Sequence, residues 1–240
     1  MKDLFGQAML DYQTQNNSEN IFTSTNISDT DQMETAYLFR TFDAMPKLER
    51  HALEFARGKT LDVGCGAGSH ALHLQDQKNL QTFAIDTSAL AIQTCVLRDV
   101  QHAFVKNIFD LVPNDFGLFD TILLLMNGTG ICGKLSNIDH FLQKLTSLLV
   151  PDGQILIDSS DIAYMYDKDK RGAPIVDDNS KYYGELEFTV TYKKQTSKPF
   201  DWLFLDFKKL DETCKKNKLS CELLLKGEHY DYLAKITRQE

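Results

Sequence analysis

The sequence predicts an α/β fold, a mostly parallel sheet with helices on both faces. Three observations carry this. Short apolar runs alternate with helix-spaced segments between residues 60 and 158, and alternation of that kind closes right-handed crossovers onto a shared sheet. A glycine-rich turn, Gly64-Cys65-Gly66-Ala67-Gly68, joins the first of those runs to the helix that follows. The last third then changes to alternating apolar and polar residues, the pattern of antiparallel strands with one wet face.

The elements follow in order. A short amphipathic helix opens the chain, and residues 13–31 are so rich in Gln, Asn, Ser, Thr and Asp that they read as a loop. Apolar residues at helical spacing then predict helices over 34–40 (Tyr37, Leu38) and 46–56 (Leu48, Ala52, Leu53, Phe55), the second stopped by Gly58. Strands are expected at 60–63, 81–85, 103–105, 121–126 and 154–158, with helices at 69–74, 89–97 and 137–149 between them. Pro151 and Gly153 make the turn into the fifth strand, because proline ends the helical pattern and glycine releases the chain. Beyond it, 184–192 and 200–205 read as a hairpin, 206–217 as a helix, and 221–225 and 232–236 as closing strands. The organisation expected is a helical segment over 1–56 and one domain over 57–240 with an insertion at 159–205.

Composition narrows the function. A chain of 240 residues, 42% of them hydrophobic, can bury one core. Its 34 acidic against 26 basic residues give a charge of -8, which repels a polyanion, so nucleic acid is not expected as a partner. The lysines near the C-terminus are interleaved with Asp201, Asp206, Asp211 and Glu212, as on a solvated face. Five irregularly spaced cysteines, without a Cys-x-x-Cys pair, suit reduced thiols in a cytoplasmic protein and no metal site. No signal peptide or membrane span is read in the sequence.

The chemistry concentrates at the glycine-rich turn. Glycines let backbone approach a ligand closely, and the helix behind them offers unpaired N–H groups. The second strand ends on Asp86, 22 residues past Gly64, where a carboxylate can accept hydrogen bonds from both hydroxyls of a ribose.

At these residues the chain resembles the class I S-adenosylmethionine-dependent methyltransferases. The resemblance lies in Asp62, Gly64, Gly66 and Gly68, then Ala84-Ile85-Asp86-Thr87-Ser88 with Ala91-Ile92 behind, and runs over 57–158. It implies a Rossmann-like, seven-stranded sheet whose last strand is antiparallel. It also implies S-adenosylmethionine as cofactor, its methionine end near Asp62, Gly64, Cys65 and Gly66, its ribose on Asp86 beside Thr87, and its adenine flanked by Asn107 and Ile108. Met126 and Asn127, closing the fourth strand, would face cofactor and substrate. No Asn-Pro-Pro-Tyr or Asp-Pro-Pro-Tyr follows that strand, which separates the chain from amino-methylating enzymes of bases and glutamine and, with the acidic charge, points to a small-molecule acceptor.

Methyl transfer needs a nucleophile aligned behind an already activated methyl group, so placement outweighs acid–base chemistry. If a base is used, Asp158, Asp161, Tyr164 and His70 are the candidates, each with a purely structural role also open to it. The helices before the sheet can form a lid, with Arg40 on the methionine carboxylate and Tyr37 facing the sulfonium, or simply pack on the body. Acceptor choice is expected in 159–202, which carries Asp161, Tyr164, Tyr166, Arg171, Tyr182, Tyr183 and Trp202. A nicotinamide dehydrogenase fits less well, because its third glycine belongs at position 69, which is Ser69. A catalytically silent cofactor-binding module acting through protein partners stays open.

Overall fold

The computed structural model describes residues 2–176 and 181–239. Residues 177–180 of the expected insertion lie outside it. In chain order the elements are α1 (Leu4–Gln13), β1 (Ile21–Thr25), β2 (Asp31–Met33), α2 (Lys47–Phe55), β3 (Thr60–Val63), α3 (Ser69–Asp76), β4 (Thr82–Asp86), α4 (Ala89–Leu97), β5 (Ala103–Val105), α5 (Pro113–Phe116), β6 (Phe119–Leu124), α6 (Ile138–Ser147), β7 (Leu149–Ser160), β8 (Glu185–Tyr192), β9 (Gln195–Thr196), β10 (Phe200–Leu203), α7 (Phe207–Lys216), β11 (Leu219–Lys226) and β12 (Asp231–Arg238).

The main sheet has seven strands in the order β11-β12-β7-β6-β3-β4-β5. Strands β3 to β7 run parallel, and β12 pairs antiparallel with both β7 and β11, so the last strand alone is reversed. Alternation along the central strands explains why both faces are covered. Ile122, Leu124, Ile155 and Ile157 pack with Phe141, Leu142 and Leu145 of α6 and Leu210 of α7. Their neighbours Leu123, Leu125 and Leu156 turn the other way, onto Leu48, Ala52 and Leu53 of α2 and Leu74 of α3. A period of two is what a strand buried on both sides requires.

A second sheet, in the order β10-β8-β1-β2 with β9 paired to β8, joins the N-terminal segment to the insertion. The hairpin reading of the insertion matches the antiparallel pairing of β8 with β10. The loop reading of residues 13–31 is corrected: Ile21–Thr25 forms β1, whose Ile21 is fully buried and whose other four residues pair with β8 from Phe22↔Thr191 to Thr25↔Phe188. Its polar composition hid it, since the hydrogen-bond partner that makes it a strand lies about 165 residues away in sequence. The opening segment is therefore a helix and two strands as well as α2, and the helix expected over 34–40 is a 3-10 turn, Thr35–Phe39, that leaves in an extended conformation at Arg40.

Candidate active site

The parallel strands deliver their C-terminal ends to one edge, where ligands of open α/β sheets bind. There the second sheet and α1 face the glycine-rich turn across a cavity of about 710 Å³. That is the size of a pocket for a cofactor-sized ligand with room beside it.

Gly64, Gly66 and Gly68 all have left-handed backbone, with φ of 73°, 53° and 80°. Gly64, Cys65, Gly66 and Ala67 line the cavity, while Gly68 turns inward against Val100 and Cys95. Asp86 closes β4 at the same place. One carboxylate oxygen accepts the Gly66 N–H at 3.1 Å and the other the Ser88 N–H at 2.8 Å. Its burial raises its pKa, against which those N–H bonds pull. The Ser88 hydroxyl donates to Asp3 at 2.6 Å, and Asp3 in turn caps α1 through the Gly6 N–H. Helix α1 thereby lies over the turn, with Met9 buried against Ala67 and Ala91.

Behind the turn lies a buried charge network. Glu49 of α2 is ion-paired with Arg40 and bonded at 2.7 Å to Nε2 of His70, the second residue of α3. Burial opposes both charges, but the contact outweighs it, so Glu49 is held below and His70 above its ordinary pKa. Arg40 also stacks on the Tyr37 ring at 4.0 Å and donates to the Tyr37 carbonyl. Its Nε, and Oδ2 of the buried Asp62, have no hydrogen-bond partner among the described residues. Arg40 and His70 line the cavity; Asp62 lies beneath it and Tyr37 stands outside, half-exposed. Nothing in the sequence pattern pointed to Glu49.

The fourth parallel strand ends at Leu124, and Met126 and Asn127 follow with φ of 65° and 62°. Two left-handed residues in succession are costly without glycine. Asp158 holds them: its carboxylate accepts the Met126 N–H at 3.0 Å and the Gly128 N–H at 2.9 Å. The Asn127 amide donates to the Leu203 carbonyl and accepts from the Ser159 hydroxyl, tying the strand end to the insertion. Asp158 is thus a backbone anchor beneath the cavity wall.

These buried carboxylates set a pH dependence. Desolvation raises Asp62 to about 6 and Asp158 to about 7. A carboxyl whose folded pKa exceeds its unfolded one stabilises the fold fully below its unfolded value and loses that contribution as pH rises through the folded value. For a carboxyl raised as far as Asp62 the contribution lost is about 3 kcal/mol. The urea midpoint of the free protein is expected to fall between about pH 4 and pH 7, and Asp62→Asn to remove part of that slope. A variant with the wild-type slope would show that Asp62 does not titrate in this window.

The outer wall is aromatic. Phe188 sits with its ring centroid 6.1 to 6.2 Å from Phe200, Trp202 and Phe204, and all four are half-buried and line the cavity. Trp202 lies so flat on Gly130 that a Cβ there would come within 2.0 Å of its indole. Glycine at 130 is what seats the ring, a role with no signal in the sequence.

Other expected residues lie elsewhere. Asn107 caps a turn by accepting the Phe109 N–H at 3.0 Å, Ile108 is in the core, and neither lines the cavity. Tyr164 stacks on Tyr230 at the surface. Asp161 accepts the Ala163 N–H and the Tyr183 hydroxyl, at 3.0 and 2.9 Å. Tyr182 and Tyr183 both donate to Asp206, the cap of α7, and the Tyr166 hydroxyl donates to the Tyr183 carbonyl at 2.6 Å. Burial raises both tyrosine pKa values. These tyrosines fasten the insertion to α7, and Arg171 is exposed; none of them touches the cavity.

A family model described as a methyltransferase domain matches residues 55–233. A Bacteroides fragilis SAM-dependent methyltransferase, solved with S-adenosyl-L-homocysteine, is 40% identical, covering all of this chain and 96% of that one, with a TM-score of 0.90. The sugar N-methyltransferase KedS8 of a Streptoalloteichus species (15% identity, 80% of this chain and 85% of that one, TM-score 0.57) and the CcbJ methyltransferase of Streptomyces caelestis (13%, 83% and 95%, 0.61) share the fold. No curated protein matches the chain.

Proposed function

This chain belongs to the S-adenosylmethionine-dependent methyltransferases, and from that premise we propose that it methylates a small-molecule acceptor held between the glycine-rich turn and the aromatic wall. The observation that carries the reading is the continuity of one cavity from Asp86 and Gly66 to Phe188 and Trp202. A second supports it: the charge of -8 disfavours a nucleic-acid acceptor. Among the described residues no helix is long and apolar enough to cross a membrane. All five cysteines are free and four are buried, which suits the reducing cytosol, where we place the reaction.

S-adenosylmethionine, when bound, supplies a methyl group already activated on sulfur. The chain's residues fit it. Asp86, beside Thr87, would accept the ribose hydroxyls, the backbone of Gly64 to Ala67 would hold the methionine end, and Arg40, which lines the cavity, would take the carboxylate. Glu49 fixes that guanidinium so that its direction costs nothing on binding. Asp62 keeps an unpartnered oxygen beneath the turn, complementary to an ammonium. Residues 1–56 act as a cover: α1 closes the turn, and β1 with β2 extends the wall. Residues 57–240 form the methyltransferase domain.

Calorimetry tests the first step, with S-adenosylmethionine and S-adenosylhomocysteine expected to bind and NAD not. Turnover is read as labelled S-adenosylhomocysteine released with a panel of small acids, phenols and amines. Binding without release on any acceptor would favour a silent module, and tighter binding of NAD would sink the assignment.

A further inference from the structure

We infer that the acceptor is an uncharged nitrogen nucleophile on an apolar, ring-sized body, methylated without a protein base. The inference rests on the reading above and names the substrate class of the same site. It begins with what the wall lacks. The side chains that line the cavity and carry charge or titrate are Lys2, Asp3, Arg40, Cys65, His70 and Asp86, of which the Cys65 thiol is held protonated by its contact with Cys95 and by burial. None belongs to the second sheet, which presents Phe188, Phe200, Trp202, Val190 and Met33 with one hydroxyl, Thr23, and Phe204 follows directly after β10.

Every carboxylate among those groups is already engaged. Asp3 accepts from the Gly6 N–H with one oxygen and from the Ser88 hydroxyl with the other. Asp86 accepts from Gly66 and Ser88 N–H groups. His70 shares Glu49 with Arg40, which places it at the cofactor end as part of a cationic pair. Lys2 donates to Gln195 at 3.0 Å, on the short strand β9, and brings a further cation to the mouth. Asp158, just before the insertion, and Asp161, within it, hold backbone and Tyr183 instead.

A hydroxyl acceptor must lose a proton as it attacks, and among the described residues no free base faces the wall to take it. A carboxylate or phosphate acceptor held on the aromatic wall would sit against rings that offer no countercharge, because Arg40 and His70 are paired with Glu49 and Lys2 is bonded to Gln195. An amine needs neither, because its lone pair is the nucleophile. Its protonated form is excluded because it has no lone pair with which to attack. The amine therefore loses its proton to water before entry. Its lone pair forms the N–C bond while the C–S bond breaks and its electron pair stays on sulfur. Positive charge moves from sulfur to nitrogen, where the ring faces of the wall stabilise the cation as it forms. The methylated ammonium gives up its N–H proton to water after release.

The experiment compares benzylamine, aniline, phenol, thiophenol and phenylacetate at equal concentration, reading S-adenosylhomocysteine release after calorimetry has shown that S-adenosylmethionine binds. We expect the two amines to turn over at least 10-fold faster than the other three. The acidic limb of kcat/KM should follow each amine's own pKa, so that it lies at much lower pH for aniline. Trp202→Ala and Gly130→Ala, the second unseating the indole without removing it, should each raise the amine KM at least 10-fold and leave cofactor affinity within 2-fold. Preferred turnover of phenol, thiophenol or phenylacetate overturns the proposal, as does a limb at one fixed pH that vanishes in His70→Gln. Cofactor binding with no amine turned over overturns it too. Failure to bind S-adenosylmethionine at all would instead overturn the proposed function.

Discussion

Asp86→Ala is expected to weaken binding of S-adenosylmethionine and S-adenosylhomocysteine by at least about 100-fold. The carboxylate stands at the end of β4 with both oxygens fixed by backbone N–H groups of the glycine turn and of α4. Each charge-assisted bond to a ribose hydroxyl contributes about 1.5 to 3 kcal/mol, and about 1.4 kcal/mol is a factor of ten. Two such bonds therefore exceed a hundredfold. The variant also frees the Gly66 N–H, so part of the loss comes through the turn itself. Asp86→Asn separates the contributions: it keeps one acceptor oxygen and is expected to lose about 10-fold, using the same scale. Calorimetry on the three proteins measures this, and unchanged affinity in Asp86→Ala would remove Asp86 from the site.

The second large effect distinguishes two glycines of the same turn. Gly68→Val is expected to cost about 2 to 5 kcal/mol of folding stability, the sum of a left-handed backbone and an overpacked contact. Gly68 has φ of 80°, and a Cβ there would come within 2.8 Å of Val100 Cγ2 and 3.0 Å of Cys95 Sγ, both of them buried. Gly66 also has positive φ, but a Cβ on it meets nothing nearer than Met9 Sδ at 3.6 Å. Gly66→Ala should thus remain folded, losing about 1 kcal/mol for its backbone conformation, while cofactor affinity drops. Urea unfolding and calorimetry run on both variants give opposite rankings if this is right. A Gly66→Ala protein that binds normally would mean the cofactor does not approach that position.

Much of the parallel sheet was readable because its signals are local. Helix α4 and strands β3 and β5 lie at the expected residues, since alternating or helical spacing of apolar residues fixes which side of a segment meets the core. The same holds for the glycine turn, where Gly64, Gly66 and Gly68 declare a backbone that other residues avoid. Polar segments were less legible. Strand β1 carries one fully buried residue and is a strand only because β8 supplies hydrogen bonds from the other end of the chain. Met126 was expected to finish a strand, yet it turns left-handed because Asp158, 32 residues later, takes its N–H.

What the sequence determined by itself is the crossover fold and the glycine turn that leads into α3, features in which residue type and spacing carry the physics, while the reversed last strand is what the family resemblance implied. What the tertiary structure alone decided is which side chains share the cavity. Tyr182 and Tyr183, aromatic and well placed in sequence, were drawn to Asp206, while Phe188, Phe200 and Phe204 became the wall. Glu49 joined Arg40 to His70 from a separate helix, and Gly130 seated Trp202. Such choices depend on the direction in which distant segments meet, and a side chain's partner across a sheet leaves no trace in its own neighbourhood of the chain.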